Sequence, residues 1–341
     1  MANPTSIEWT DETWNPLRGC RRISPGCGGP RNEGGCYAER QAIRQSGPGG
    51  AYEGLVESTD KGPRWTGKGM LDEAKLREPL HWKKPRTVFV DSMSDLFFEA
   101  FTDQDIARVV AVMVATPGCT FQVLTKRAER MARLLASEEF QGMVDDAGEA
   151  FAAEMGWCHA NEGESWPPKN IWWGVSCEDR KHGLPRLYHL RRTPAAVRFV
   201  SFEPLLEDVT EPLADDVDAL GGPDEQGGCR TCGLSWEGEK NAAGIHECPP
   251  PGFGGRIHWA IIGGESGPRS RPCDLQWVRA LVARCRAAGV APFVKQLGAH
   301  AIDSFYDPTR AVLLKHKKGG DMAEWREDLR VREFPEVSRG A

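Results

Sequence analysis

The sequence predicts an α/β fold built on a partial or complete β/α (TIM-like) barrel. Short apolar runs rich in β-branched and aromatic residues alternate with segments of helical periodicity, which is typical of βα units and a mostly parallel sheet. The runs are almost continuously apolar, as expected for strands that are buried on both faces. Six such runs and a weaker N-terminal one suit the barrel. A doubly wound open sheet is the alternative.

The predicted elements follow one another along most of the chain. Strands are expected at 87–90, 120–124, 171–175, 197–200, 259–262 and 292–294, and helices at about 102–116, 127–137, 178–191 and 274–289. Thr102 is placed to cap the first of these helices, with Asp103 and Asp105 in its first turn. The acidic, helical stretch 140–169 and the Gly- and Pro-rich stretch 211–257 read as insertions. The tail after Asp303 is expected to pack on the barrel.

Composition indicates one large globular domain over residues 1–341, with 211–257 inserted in it. Of the 341 residues, 40% are hydrophobic and 27% charged, which is enough apolar material for a substantial core. The net charge of −6 argues against a wholesale electrostatic grip on nucleic acid and leaves room for a local basic groove. No stretch approaches the roughly 20 apolar residues of a membrane span, so we expect a cytoplasmic protein with no membrane partner.

Eleven cysteines in a reducing compartment favour metal ligands or reactive thiols over disulfides. Cys20, Cys27 and Cys36 lie in a glycine-rich loop, and thiolate is a ligand that suits iron. A cubane cluster has four irons, so three cysteines leave one iron open for a small molecule. A zinc site, or free thiols in a loop, is the alternative.

A second group of cysteines lies inside the 211–257 insertion. It supplies three thiols and one imidazole, the complement of a closed tetrahedral zinc site, from Cys229, Cys232, His246 and Cys248. We expect a small zinc-ribbon-like insertion in which Zn²⁺ has a structural role. Unligated surface cysteines, or a second iron–sulfur cluster, are the alternatives. The remaining, dispersed cysteines are expected to be inert.

Polar side chains follow each predicted strand, where the residues of a β/α barrel converge on one rim. Lys295 is placed to clamp a carboxylate or phosphate, and Glu203 to accept from an amine or a hydroxyl; mutual ion pairing is the alternative. With Asp91 they are the catalytic candidates. The rim residues are Asp91, Ser92, Asp95, Thr125, Lys126, Arg127, Ser176, Glu178, Ser201, Glu203, Glu265, Ser266, Lys295 and Gln296.

Several motifs resemble an uncharacterised phage three-Cys-motif family that is regarded as related to radical S-adenosylmethionine proteins. The resemblance covers most of the chain. In that family two residues usually separate the second and third cysteines, whereas eight separate Cys27 from Cys36 here. The motifs are Ile7-Glu8-Trp9-Thr10-Asp11, Trp14-Asn15-Pro16, Ser24-Pro25-Gly26-Cys27, Cys36-Tyr37-Ala38-Glu39-Arg40, Asp91-Ser92-Met93-Ser94-Asp95, Leu124-Thr125-Lys126-Arg127, Trp173-Gly174-Val175-Ser176, Phe202-Glu203-Pro204-Leu205, Gly263-Gly264-Glu265-Ser266-Gly267 and Phe293-Val294-Lys295-Gln296.

The resemblance implies a barrel of radical-SAM type with a [4Fe-4S] cluster on Cys20, Cys27 and Cys36. The open iron would bind S-adenosylmethionine, and an electron from a flavodoxin- or ferredoxin-type donor would release a 5′-deoxyadenosyl radical. Gly263, Gly264 and Glu265 resemble the element that holds the methionyl amine, with a plain turn as the alternative; Thr125 and Ser176 are further candidate contacts. The phage context implies modification or repair of a nucleobase in DNA or another nucleic acid.

Two other readings remain open. In one, both cysteine groups merely hold loops, and the protein is a non-catalytic, metal-stabilised nucleic-acid-binding module. In the other, a zinc hydrolase uses Asp91 or Glu203 as base. The eight histidines do not cluster on the rim, and this argues against an open hydrolytic zinc site.

Overall fold

The structure is a computed structural model, and it describes residue 5 and residues 7–29, 33–157, 166–210, 255–267 and 269–336. The chain divides into two compact units. Unit 1 comprises Met1–Ile23, Cys36–Gly174 and Thr193–Ala196, and unit 2 comprises Ser24–Gly35, Val175–Arg192 and Val197–Ala341. Nearly all of the predicted zinc-ribbon-like insertion, residues 211–254, lies outside the described residues.

The described strands include all six that the sequence predicts, and the weaker N-terminal one as well. In chain order they are β1 (Glu12–Trp14), β2 (Leu17–Arg18), β3 (Val56–Thr59), β4 (Gly62–Trp65), β5 (Met70–Leu71), β6 (Thr87–Val90), β7 (Thr120–Thr125), β8 (Ile171–Ser176), β9 (Val197–Phe202), β10 (Trp259–Gly263), β11 (Cys273–Asp274), β12 (Ala291–Gln296), β13 (Ala301–Asp303) and β14 (Asp307–Ala311). The predicted strands are β6 to β10 and β12, and they end within two residues of the expected positions.

The four predicted helices are also present, together with others. The α-helices within the described residues are α1 (Tyr37–Ala42), α2 (Glu73–Leu76), α3 (Asp103–Val114), α4 (Ala128–Leu135), α5 (Glu138–Met155), α6 (Arg180–Arg192) and α7 (Leu275–Ala287). The predicted cap of α3 is a full capping box, in which the Thr102 hydroxyl accepts from Asp105 N at 3.1 Å and the Asp105 carboxylate accepts from Thr102 N at 3.0 Å. α5 lies in the stretch read as a helical insertion and ends at Gly156, whose φ of 69° suits glycine.

The strand order decides between the two predicted sheet types. The main sheet runs β1-β6-β7-β8-β9-β10-β12, so strands that follow one another along the chain lie side by side. Its pairs β1·β6, β6·β7, β9·β10 and β10·β12 are parallel. A doubly wound sheet would reverse its order at a switch point, and this one does not. The protein therefore has a mixed α/β fold with a parallel seven-stranded sheet that is compatible with a partial β/α barrel.

The cores of the two units are built on these strands. In unit 1 the fully buried Trp14 packs against Phe121, with ring centroids 5.8 Å apart. In unit 2 every residue of β9 and β10 is buried, as the apolar runs predict, and Trp259 packs edge-on against Phe293 at 5.8 Å. Within the described residues, no helix is both long enough and apolar enough to cross a membrane.

Candidate functional site

The three candidate cluster cysteines differ from the other described cysteines in exposure. Cys20 follows β2, Cys27 ends a 3₁₀ turn, and Cys36 is the N-cap residue of α1; all three are partly exposed. The other four are buried, and burial raises the pKa of each thiol, to about 12 for the last two: Cys119, Cys177, Cys273 and Cys285. Because thiolate is the form that binds metal, the raised pKa values make the four buried cysteines poor candidate ligands.

In unit 1 a buried arginine lies against the first of these cysteines. Arg127 Nη1 donates to Cys20 Sγ at 3.7 Å and to Asp95 Oδ2 at 3.0 Å, and Arg127 Nε donates to Glu99 Oε1 at 2.9 Å. Burial lowers the pKa of Arg127, but the negative charges of Asp95, Cys20 and Glu99 outweigh it and the pKa is raised. Arg127 is therefore a fixed positive charge, which stabilises negative charge on the neighbouring sulfur.

Asp95 ties the ends of β6 and β7 together in unit 1. Its Oδ1 accepts from the Thr125 hydroxyl at 2.6 Å, and its Oδ2 accepts from the Lys126 backbone N–H at 3.0 Å. The side chain is 7% exposed. Three residues predicted for the rim after these two strands thus meet in one buried hydrogen-bond network.

Asp91 directly follows β6 and is a buried carboxyl of unit 1 with an unusual backbone conformation. Its φ is 55°, in the left-handed region, and only 3% of the residue is exposed. Oδ1 accepts from Leu17 N at 3.2 Å, whereas Oδ2 has no hydrogen-bond partner among the described residues. Burial raises the pKa of Asp91 well above its usual range; the Leu17 hydrogen bond lowers it and the charge of Asp95 raises it further. The neutral, proton-bearing form is favoured.

The helix that Cys36 caps carries a buried carboxylate, Glu39, which is 1% exposed. Arg22 Nε lies 3.0 Å from both Glu39 oxygens, and the backbone N–H of Trp65 donates to Glu39 Oε1 at 3.2 Å. The Arg22–Glu39 pair therefore holds the segment just after Cys20 against α1. All of these residues belong to unit 1.

In unit 2 a second buried carboxylate holds the chain before Cys27. Glu178 accepts from the Ser24 hydroxyl and, at 2.7 Å, from Arg186 Nη1, which also donates to the Ser176 carbonyl oxygen at 3.0 Å. The Glu178 side chain is fully buried. Ser176, a candidate cofactor contact, lies at the end of β8 with 2% exposure.

Glu265, which follows β10 in unit 2, forms a bidentate pair with Arg271. Glu265 Oε1 accepts from Arg271 Nη2 at 2.7 Å, and Oε2 accepts from Arg271 Nε at 2.9 Å and from the backbone N–H at 3.0 Å. Arg271 Nη1 reaches the Pro25 carbonyl oxygen at 2.8 Å. The candidate ligand-binding carboxylate is thus engaged with the loop that carries Cys27.

The catalytic candidates Lys295 and Glu203 contact one another in unit 2. Lys295 Nζ lies 2.9 and 3.0 Å from the two Glu203 oxygens, and Gln296 Nε2 donates to Glu203 Oε1 at 3.1 Å. The two charged side chains remain 19% and 18% exposed, so an arriving ligand can reach them. Gly264 lets β10 approach β12 closely, because a Cβ atom there would lie under 3.0 Å from the Leu297 carbonyl oxygen. The Gly264 N–H donates to the Gln296 carbonyl oxygen at 3.1 Å, and Leu205 N donates to the Gly263 carbonyl oxygen at 2.9 Å.

Residues 4–331 match the family described as "Protein of unknown function (DUF5131)". The chain belongs to the DUF5131 family. The match includes the three candidate cluster cysteines and every strand of the main sheet of this DUF5131 protein. No curated protein and no solved structure matches the chain significantly.

The metal sites of this DUF5131 protein remain predictions. Among the described residues, no group of three or more His, Cys, Asp or Glu side chains is arranged so that it could hold a metal ion. The predicted zinc ligands lie outside the described residues, so their arrangement is not described: Cys229, Cys232, His246 and Cys248.

Sequence reasoning missed the groups that hold the cysteine-bearing segments of this DUF5131 member. Glu39 lies in the motif that begins at Cys36, but no local sequence pattern predicts that it pairs with Arg22. Arg271 is separated from Pro25 by 246 residues, and Arg186 lies on a helix that reads as ordinary amphipathic surface. A buried carboxylate after a strand predicts that some cation must pair with it, without predicting which one.

Proposed function

We propose that this protein is a radical S-adenosylmethionine enzyme whose [4Fe-4S] cluster is bound by Cys20, Cys27 and Cys36. The observation that carries the proposal is the exposure of these three thiols against the burial of the other four described ones. The polar groups after parallel strands support it, because β/α barrels place their chemistry at that end of the strands. The radical-SAM relation and the phage context come from the motif resemblance.

The donor set fits a cluster with one open iron. Thiolate suits iron, and three cysteines leave the fourth iron of a cubane free. The eight residues between Cys27 and Cys36 include Gly28, Gly34 and Gly35, whose positive φ values allow tight turns around a bulky group. Because metal binding and ordering of the ligands are coupled, we expect the three thiolates to close on the cluster as it binds.

When bound, the cluster would supply an electron from a flavodoxin- or ferredoxin-type donor and cleave S-adenosylmethionine to methionine and a 5′-deoxyadenosyl radical. The proposed contacts to S-adenosylmethionine lie at the carboxyl ends of β7, β8 and β10, and they are Thr125, Ser176, Gly263 and Gly264. The remaining candidate, Glu265, is already paired with Arg271. Arg127 holds its positive charge against Cys20, and its contacts with Asp95 keep it there.

The proposed roles of the catalytic candidates follow from their surroundings. Asp91 would serve as a proton donor in its neutral form, which burial favours by raising its pKa; the oxygen without a hydrogen-bond partner among the described residues is Oδ2. Lys295 and Glu203 neutralise one another at rest. A substrate with an anionic group would replace Glu203 as the partner of Lys295. A substrate with an amine or hydroxyl would replace Lys295 as the partner of Glu203.

We propose a nucleobase, in a nucleic acid or as a nucleotide, as the substrate, with modification or repair of phage DNA as the setting in the host cytoplasm. The context of the resembling family supports this assignment. The insertion at 211–257 would fold around structural Zn²⁺ on its three cysteines and His246. Zinc there would stabilise the insertion without taking part in the chemistry.

Iron content tests the cluster assignment directly. Wild type, Cys27→Ala and Cys119→Ala would be reconstituted anaerobically with iron and sulfide, and the iron, zinc and sulfide per chain measured. We expect about four irons per chain in wild type and Cys119→Ala, and loss of the cluster in Cys27→Ala. Equal iron in the two variants, or zinc alone in wild type, would overturn the assignment.

A second candidate function, a non-catalytic nucleic-acid-binding module, is favoured by an exposed aromatic tip between β13 and β14. Phe305 and Tyr306 are 75% and 60% exposed, and the Arg326 guanidinium carbon lies 4.5 Å from the Tyr306 ring centroid. Aromatic faces beside a cation stack nucleic-acid bases in many single-strand binders. Salt-sensitive binding of a labelled single-stranded oligonucleotide that is lost in Tyr306→Ala, by a protein that forms no cluster, would favour this function.

A further inference from the structure

We propose that Glu265 and Arg271 form a clamp on the Cys27 loop, here residues 24–29 and 33–35, so that Glu265 is a positioning residue rather than a ligand of a cofactor amine. The clamp's purpose, to place the Cys27 thiol for the cluster, rests on the proposed function. Its geometry does not, since every contact lies within unit 2.

The carboxylate of Glu265 is already engaged by Arg271. It is 7% exposed and accepts three hydrogen bonds from Arg271, two from the guanidinium and one from the backbone N–H. Bidentate guanidinium–carboxylate pairs are the strong, directional ones, so they suit fixed positions. A methionyl amine would have to compete with Arg271 for the carboxylate oxygens, and a displaced guanidinium would lose its charge partner.

Arg271 also contacts the Cys27 loop directly. Its Nη1 donates to the carbonyl oxygen of Pro25, two residues before Cys27, at 2.8 Å. The Pro25 carbonyl also accepts from Gly28 N at 2.9 Å, and this bond closes the turn that contains Cys27. Arg271 therefore binds the same carbonyl oxygen, that of Pro25, whose hydrogen bond closes the turn.

The C-terminal end of the loop packs against the carboxylate of Glu265 as well. Gly34 N donates to the Arg269 carbonyl oxygen at 2.7 Å. A Cβ atom at Gly34 would lie under 3.0 Å from the Glu265 carboxylate, closer than real Cβ atoms approach their neighbours, and the φ of Gly34 is 59°. Only glycine fits at position 34. The long segment between Cys27 and Cys36 is therefore held in place near its C-terminal end.

Glu178 supports the start of the loop independently. It accepts from the Ser24 hydroxyl, and a Cβ atom at Gly26 would lie 2.7 Å from Glu178 Oε1. Two buried carboxylates, each neutralised by its own arginine, therefore flank the turn that carries Cys27. Outer-shell partners of this kind typically account for 10- to 100-fold in metal affinity.

Hydrogen–deuterium exchange on the metal-free full chain tests the clamp without any cluster. The probes are the loop amides that are hydrogen-bonded in the structure, those of Cys27, Gly28, Gly29 and Gly34. We expect Arg271→Gln to speed their exchange about tenfold, and Arg271→Lys, which keeps the charge but not the fork, to restore part of the protection. Arg269→Gln is the matched control, because that side chain is exposed and the backbone carbonyl is retained.

A glycine pair tests the packing of the loop on Glu265. Gly34→Ala should release the loop amides as Arg271→Gln does. Gly49→Ala carries a similar backbone strain, since the φ of Gly49 is 75°, but nothing lies within 4 Å of its added Cβ atom, and it should leave loop exchange unchanged. Wild-type loop exchange in both Arg271→Gln and Gly34→Ala would overturn the clamp.

Iron and S-adenosylmethionine binding then separate the clamp from the proposed function. If the clamp positions Cys27, Arg271→Gln binds iron 10- to 100-fold more weakly than wild type and gives a broadened EPR spectrum of the reduced cluster. Arg271→Lys then recovers part of the iron affinity and part of the wild-type line shape. Weaker S-adenosylmethionine binding by Glu265→Gln with unchanged loop exchange would overturn the clamp and keep the proposed function. Accelerated loop exchange with no iron in wild type would keep the clamp and overturn the function.

Discussion

Asp91 combines a left-handed backbone, deep burial and an unpartnered Oδ2, and this combination makes it sensitive to pH. Burial raises its pKa in the folded protein above the value of about 3.9 expected in the unfolded chain. The folded protein therefore binds one more proton in the window between the two values. The contribution of Asp91 to stability is therefore full below pH about 4 and falls as the pH rises through that window.

We predict that Asp91→Asn removes this loss. Asparagine is neutral at every pH and tolerates a positive φ, so the variant should gain melting temperature relative to wild type as the pH rises from 4 to 8, by about 2 °C or more. Thermal unfolding across this pH range is the measurement, with the exposed Asp145→Asn as control. A difference between variant and wild type that does not change with pH would contradict the raised pKa.

Removal of Arg127 should be costly, because it would leave Asp95 buried without this partner. We predict that Arg127→Gln lowers the free energy of unfolding by about 3 kcal/mol, as for other broken buried pairs. Arg286→Gln, which removes a pair with both side chains about half exposed, should lose less than about 1 kcal/mol. Urea unfolding of the two variants checks this, and equal losses would show that the Arg127 pair is not buried in solution.

At the scale of elements, the main strands and helices could be predicted because their signals are local. Apolar β-branched runs gave β6 to β10 and β12, and the cap at Thr102 gave the start of α3. The short pairs β2·β5 and β11·β13 escaped prediction, since strands of two or three residues show no alternation and depend on a distant partner. β14 follows a turn in a charged tail whose pattern gave no strand signal.

The approach of β10 to β12 depends on Gly264. A Cβ atom there would lie under 3.0 Å from the Leu297 carbonyl oxygen. We predict that Gly264→Ala separates the strand ends and lowers the free energy of unfolding by about 1–3 kcal/mol, whereas Gly118→Ala, with nothing within 4 Å of the added atom, does not. Urea unfolding compares the two, and a neutral Gly264→Ala would show that the strand ends are not in close contact.

At the scale of the whole molecule, the strand order follows from the alternation of strands and helices, and membership of the DUF5131 family agrees with motifs spread over most of the chain. The site was predictable only in part. The topology places polar groups such as Glu203 and Lys295 at the strand ends, but which group pairs with which depends on tertiary packing. The contact of Arg271 with Pro25, across 246 positions, is one that no local pattern encodes.

In the proposed function, Cys20, Cys27 and Cys36 support radical chemistry on S-adenosylmethionine. The most direct measurement is the 5′-deoxyadenosine released when the anaerobically reconstituted, dithionite-reduced protein meets S-adenosylmethionine, with Cys27→Ala and Cys119→Ala run beside it. We predict release by wild type and Cys119→Ala, and none by Cys27→Ala. A wild-type protein that holds an intact cluster and releases no 5′-deoxyadenosine, or a Cys27→Ala protein that releases as much as wild type, would contradict the account.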